Sequence, residues 1–345
     1  FMKNLLRIAF INFIVFIISI VLLELVFGNW FKKDFYGHYV EDFKNIKIDM
    51  SVRHGAKKYN YIFSRDKHGF IGNIKEISEI DAIFLGGSTG VEIYNPPRFR
   101  IVELLNEKFK KDKIKLYIAN ASTDGKTLRG YAYDLERWLP KIQDLKHKYI
   151  IFYVGINDLG FDAYYYDYKF IHQSNFLDFI NERSFLVNGF KKINNNFFRI
   201  GKKVEAYNLK YNNLYDNHNY TNFDNAKKKY DINSLILNNT KLVKQFKFRL
   251  NNLKIIMQKS EVVPIFITQI RFDGMTEPNL YLLNQLLKEF CKKNNYNIIK
   301  IDELINYMPK DTFYDYLHTT PKGSSIIANS IYEELKKIIQ KDKKN

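Results

Sequence analysis

Five short runs of β-branched and aromatic residues, set far apart and separated by helical patterns, constrain the fold of this chain more than any other feature. They are Asp81–Leu85, Ile114–Asn120, Tyr149–Val154, Val262–Thr268 and Asn297–Ile301. Each is apolar almost throughout and ends in small or polar residues, as strands buried on both faces do. Between them, Ile101, Leu104, Leu105 and Phe109 repeat at helical spacing, and so do Leu242, Val243, Phe246, Leu250 and Leu253. A last helix carries Ile327, Ile331, Leu335 and Ile338 on one face, with Thr320 as its cap and Pro321 in its first turn. This alternation predicts a three-layer α/β/α architecture around a five-stranded, mainly parallel sheet. In such sheets ligands sit outside the carboxyl ends of the strands, so chemistry is expected in the residues that follow each run.

Upstream, Ile8–Phe27 is an apolar run of twenty residues in which Glu24 is the only charge. As a helix it would span roughly 30 Å, the thickness of a bilayer's hydrocarbon core. Lys3 and Arg7 flank one end, and Trp30, Lys32 and Lys33 the other. The run exceeds the roughly 7–15 apolar residues of a signal peptide, and no small-x-small cleavage site follows it. Residues 1–33 are therefore expected to be an uncleaved membrane anchor that meets the lipid bilayer through residues 8–27. The short basic tail is expected to stay inside, which places the rest on the extracytoplasmic (periplasmic) side of the cytoplasmic membrane. Residues 34–80 read as a linker or amino-terminal extension, and 81–345 as the main domain, with a helical insertion at about 160–258. Tyr164, Tyr165, Tyr166 and Tyr168 in that insertion suggest a sugar-stacking platform or, more ordinarily, aromatic packing.

Lysine and arginine number 54 against 37 acidic residues, a net charge of +17. Nucleic acid is not the expected partner, because the lysines accompany Asn, Ile and Tyr throughout, with no basic-aromatic module and no helix-turn-helix spacing. Anionic lipid or acidic glycan fits the charge better. The single cysteine, Cys291, excludes an internal disulfide framework and a cysteine-rich zinc site.

Three strand ends and the approach to the last helix each carry a polar block. The first run leads into Gly86-Gly87-Ser88-Thr89-Gly90, a tight turn that would expose a serine hydroxyl. No Gly-Lys-Ser/Thr follows to make it a phosphate loop, and no dinucleotide fingerprint is present, so no cofactor is expected. The second run ends in Asn120-Ala121-Ser122-Thr123-Asp124-Gly125-Lys126-Thr127 and the third in Gly155-Ile156-Asn157-Asp158; Asp315-Tyr316-Leu317-His318 precedes the last helix. Singly, each block is equally a turn, a cap or a surface histidine. Their joint order is what singles them out.

That order and those residues resemble the SGNH, or GDSL-like, hydrolase family, over roughly residues 81–335 without most of the insertion. The resemblance implies a flavodoxin-like α/β/α fold, a nucleophilic serine at Ser88, a base and its acidic partner at His318 and Asp315, and an oxyanion hole from Ser88, Gly125 and Asn157. It implies acyl-ester chemistry without a metal. The family's Gly-Asp-Ser is here Gly86-Gly87-Ser88, a form similar to that of membrane-anchored members, and His68-Gly69-Phe70-Ile71-Gly72 looks like a feature of the same subgroup.

The chemistry asked of these residues is ordinary. A serine hydroxyl attacks an acyl carbon only if an imidazole takes its proton, a carboxylate orients that imidazole, and donors meet the oxyanion. The expected activity is a serine esterase acting on acylated envelope glycan. An O-acyltransferase fed by an integral-membrane acyl donor, and a non-catalytic glycan-binding scaffold, are the alternatives.

Overall fold

The computed structural model describes residues 2–32, 35–72, 74, 76–160, 180, 183–187, 189 and 220–342. The amino-terminal run forms one helix, α1 (Met2–Phe27). Its segment Lys3–Phe27 is long and apolar enough to cross a membrane, with mean hydropathy 2.8 and no burial against the rest of the protein. Its one acidic residue, Glu24, is satisfied. The Glu24 carboxylate accepts hydrogen bonds from Trp30 Nε1 at 3.0 Å, Ser184 Oγ at 2.6 Å, and the Phe185 and Leu186 N–H groups at 2.9 and 3.1 Å.

Next come two antiparallel strands, β1 (Lys47–His54) and β2 (Lys57–Ser64), joined by a tight turn in which Gly55 has φ +59°. The main sheet follows in the order β4-β3-β5-β6-β7, all parallel, from β3 (Ala82–Leu85), β4 (Ile118–Asn120), β5 (Tyr149–Tyr153), β6 (Val263–Ile267) and β7 (Asn297–Ile299). Side chains alternate across it as the pleat demands. Phe84, Ile151 and Ile265 face the layer of α2 (Ile101–Lys111) and α8 (Pro321–Asp342), where Leu105, Phe109, Ile331 and Leu335 are buried. Ile83, Phe152 and Phe266 face the opposite layer, formed by α3 (Leu128–Tyr133), α6 (Thr240–Met257) and α7 (Pro278–Asn294). Two short helices, α4 (Phe223–Lys229) and α5 (Ile232–Asn238), lead into α6. The predicted architecture is the one observed.

Every strand is shorter than its apolar run, and β4 most of all. The Ile114 N–H bonds back to the Phe109 carbonyl with Lys113 at φ +56°, so the chain spends 114–117 leaving α2 before it pairs. In β7, Ile301 already belongs to a helical turn. Ahead of the main sheet, Met50, Val52, Phe63 and Ile71 form a small core with Val91, and Phe70 is completely buried. The range 160–258 is not all insertion, because α6 is the crossover helix between β5 and β6, with Leu242, Phe246, Leu250 and Leu253 in the core. Tyr164, Tyr165, Tyr166 and Tyr168 lie outside the described residues.

Phe70→Ala tests the place of the extension. Emptying that fully buried site is expected to cost about 3–5 kcal/mol of unfolding free energy, read by denaturant melts of the detergent-solubilised chain. A cost below about 1 kcal/mol would mean that 34–80 folds apart from the sheet.

Candidate active site

β3 ends at Leu85, and Gly86-Gly87 turn the chain into a single helical turn, Ser88–Val91. Ser88 Oγ lies 2.8 Å from His318 Nε2, and His318 Nδ1 lies 2.7 Å from Asp315 Oδ2. The other carboxylate oxygen of Asp315 accepts the Leu317 and His318 N–H groups, both at 2.7 Å. One side chain thus shapes its own loop and holds the imidazole. Since a carboxylate only accepts, Nδ1 carries the proton and Nε2 turns its lone pair to the serine hydroxyl. Burial pushes the Asp315 carboxyl up, but the His318 side chain and the two N–H donors outweigh it and hold the group below its usual value. The Tyr314 ring stacks on His318, with centroids 5.6 Å apart and 9° between planes.

Asn157 sits in the 3₁₀ turn Ile156–Leu159 that follows β5. Its Nδ2 donates to the Lys126 carbonyl at 2.9 Å. A Cβ built on Gly87 would lie 1.8 Å from that same Nδ2, so the amide lies directly against the residue before Ser88. A carboxamide nitrogen has two N–H groups. With one spent on Lys126, the second is available to an oxygen arriving at the serine. Gly125 precedes Lys126 in a turn where its φ of +68° suits glycine. The Lys126 carbonyl comes within 3.5 Å of the Gly87 Cβ position, which brings the Gly125–Lys126 link to the same place. Ser88, His318 and Asp315 are therefore joined by direct bonds, with Asn157 packed against their turn and Gly125 one residue from Asn157's acceptor. Glycine at 87 leaves the room that the Asn157 amide fills.

Several side chains that hold this arrangement were not singled out from sequence. Gln269, just past β6, accepts the Ile156 N–H at 2.6 Å and donates to Thr89 Oγ1 at 3.0 Å, tying the Asn157 turn to the serine turn. Glu92 ends the serine's helical turn with φ +48° and is buried. It accepts the Ile101 N–H, the hydroxyls of Thr319 and Ser324, and the Asn95 amide at 3.2 Å, which locks the residue after His318 to the strand-end turn. Lys126 and Asp134 form a fully buried ion pair at 2.5 Å. Asp158, part of the third block, is structural: it pairs with Arg249 at 2.8 Å and accepts the Leu128 N–H. The available signal was a polar residue directly after a buried run, as Gln269 is; Glu92 had none. Among the described residues, no three His, Cys, Asp or Glu side chains are grouped to hold a metal ion.

No family model matches the chain, and no curated protein matches it. Solved structures do share its course. A member of the lipolytic G-D-S-L family from Veillonella parvula is 13% identical, with 74% of this chain and 97% of that one covered, at a TM-score of 0.40. A lipase/acylhydrolase from Enterococcus faecalis is 15% identical over 74% and 96%, at 0.42. A catalytic mutant of an acetylxylan esterase from Geobacillus stearothermophilus is 11% identical over 73% and 92%, at 0.43. Likeness at this level decides nothing about chemistry, which rests here on the side chains themselves.

Two outcomes follow from the site. Gly87→Ala pushes the Asn157 amide aside, and the expected outcome is a kcat on an aryl ester lower by about 10²–10³-fold, with KM changed far less. Burial pushes the Glu92 carboxyl up to about 7 from a usual 4.5, against the pull of its Ser324, Ile101 and Thr319 donors. Between those pH values the folded chain keeps a proton that the unfolded chain has lost. The stability from this group is complete below about pH 4.5 and lost as pH rises through 7. Glu92→Gln should therefore flatten the fall in thermal midpoint between pH 5 and 7.5 relative to wild type; parallel curves would refute the assignment.

Proposed function

We propose that this chain is a membrane-anchored, extracytoplasmic serine esterase of the SGNH type, which removes acyl groups, acetyl foremost, from cell-envelope glycans. The observation that carries the reading is the continuous line from the Asp315 carboxylate through His318 to the Ser88 hydroxyl, with the Asn157 amide beside it. Ser88 Oγ attacks the ester carbon as His318 Nε2 takes its proton, and Asp315 steadies the imidazolium. The Ser88 and Gly125 N–H groups and Asn157 Nδ2 meet the oxyanion. His318 returns the proton to the leaving sugar oxygen, and Ser88 keeps the acyl group. Water, deprotonated by the same imidazole, then releases the carboxylic acid and restores the serine.

The membrane part of the reading is supported by α1, whose apolar surface is left uncovered by the protein. The glycan part is supported by the excess of basic residues over acidic ones. An envelope glycan is met outside the cytoplasm, and the reading places the domain there, in the membrane-anchored subgroup that the Gly86-Gly87-Ser88 turn resembles.

A fluorophosphonate probe is expected to label the wild type at Ser88 and to leave Ser88→Ala unlabelled. Absence of both labelling and aryl acetate turnover would favour a non-catalytic glycan-binding scaffold. Supplying the acetyl ester with and without an oligosaccharide then separates hydrolysis from transfer. Free acetate that is unaffected by the sugar is the expected result. Acetylated sugar would make the chain an O-acyltransferase, with an integral-membrane acyl donor as the partner to seek.

A further inference from the structure

The loop that carries His318 is closed on itself. Phe313 and Thr319 form an antiparallel bridge, and the Tyr314 N–H donates to the His318 carbonyl at 3.0 Å. Tyr314 and His318 therefore face each other across the loop, and their rings are nearly parallel, with centroids 5.6 Å apart and 9° between planes. The bonds from His318 to Asp315 and to Ser88 use the two ring nitrogens, whose proton and lone pair lie in the imidazole plane. Such bonds resist a tilt out of that plane only weakly. A parallel ring packed beside the face resists it directly.

The Tyr314 ring is itself held. Tyr94 meets it edge-on at 5.7 Å and 89°, and His54, at the end of β1, lies against it at 6.1 Å and 52°. His54 Nε2 donates to the Tyr94 carbonyl at 2.9 Å, since a carbonyl can only accept. Tyr61 of β2 donates its hydroxyl to the Ile93 carbonyl at 2.7 Å. Two hairpin side chains thus fasten the segment just past the serine's helical turn, and His54 touches both Tyr94 and Tyr314. Tyr59 continues the row, edge-on to His54 at 5.9 Å. Burial pushes the Tyr314 phenol well above its usual value, so the ring stays uncharged beside the imidazole.

We propose that Tyr314 is a positioning residue for His318, and that His54 brings the β1–β2 hairpin into the support of the active site by holding the Tyr314 ring. The role rests on the esterase reading above, in which His318 is the base. Once Ser88 carries the acyl group it no longer bonds to Nε2, yet the imidazole must stay in place to activate water. The tether to Asp315 then remains in the plane, and Tyr314 supplies the restraint out of it. The same ring favours the imidazolium formed in each step, because an aromatic face within about 6 Å attracts a cation.

The test is steady-state hydrolysis of 4-nitrophenyl acetate by the full-length chain in detergent, with the thermal midpoint of every variant measured alongside. Tyr314→Leu should lower kcat about tenfold with KM nearly unchanged. Tyr314→Phe, which keeps the ring, should recover most of that loss. Tyr314→Met is run with the expectation held for Tyr314→Leu, so that poor folding of one variant does not decide the outcome. His54→Ala should lower kcat about threefold in the wild-type background and add nothing to the loss in Tyr314→Leu, because it acts through that ring. Wild-type turnover that Tyr314→Leu and Tyr314→Met leave intact would overturn the proposal. Equal losses with leucine and phenylalanine, or losses that multiply in the double variant, would overturn it as well. Absence of turnover by the wild type would instead overturn the esterase reading, and the proposal with it.

Discussion

A hydrogen bond between side chains 230 residues apart, Ser88 to His318, is the constraint around which the molecule is arranged. The serine is fixed by its own strand, because β3 is paired on both sides and its turn has little freedom. The histidine has no strand beneath it. Its loop is located by α8, which packs with α2 on one face of the sheet, and by Glu92, which reaches from the serine's own turn to Thr319 and Ser324. A displacement of the order of 1 Å between such groups costs about a hundredfold in rate. Burying a carboxylate to prevent it is tolerable because four donors satisfy it.

How far this could be read from sequence followed the physics of each part. The bodies of the strands were legible because a parallel sheet covered on both faces admits few polar residues. Ser88 and Asn157 stood out as polar residues just past strand ends; His318, which follows no strand, stood out only by its place in the order of the four blocks. The β1–β2 hairpin was not, because only one face is covered: Met50 and Val52 are buried, while Lys47, Asp49, Ser51 and Arg53 between them are not, so the stretch resembles a polar spacer. Its cover also comes from Val91, beyond the first strand of the main sheet. Helix α6 showed its period clearly, but nothing local told that it crosses the sheet rather than belonging to the insertion. Glu92 and Gln269 were silent for a related reason. Each is a single polar residue whose meaning lies in partners more than 100 residues away.

Glu24 shows the same dependence at the other end of the molecule. A carboxylate near the carboxyl terminus of an apolar helix is disfavoured by the helix dipole. Four donors from Trp30 and 184–186 answer it, and Phe27 packs on Phe185 at 5.3 Å. The charge that interrupts the apolar helix is therefore the point at which residues 184–186 bond to it.

Gly87 belongs to the same economy of space. Asn157 Nδ2 and a side chain at position 87 compete for one volume, since even a Cβ there would lie 1.8 Å from the amide nitrogen. With glycine at 87 the amide comes forward, and its position is set from behind by the Lys126 carbonyl at 2.9 Å. That carbonyl belongs to a lysine whose ammonium is buried against Asp134 and lies over the Tyr39 and Trp138 rings at 5.3 and 5.4 Å. A buried ion pair adds little net stability once desolvation is counted, but it fixes direction. Here it anchors the residue between Gly125 and Thr127, and so the acceptor that aims Asn157. The Asn157 amide is thus held by the fold itself, and in the proposed reaction a donor fixed before substrate arrives lowers a barrier rather than merely binding.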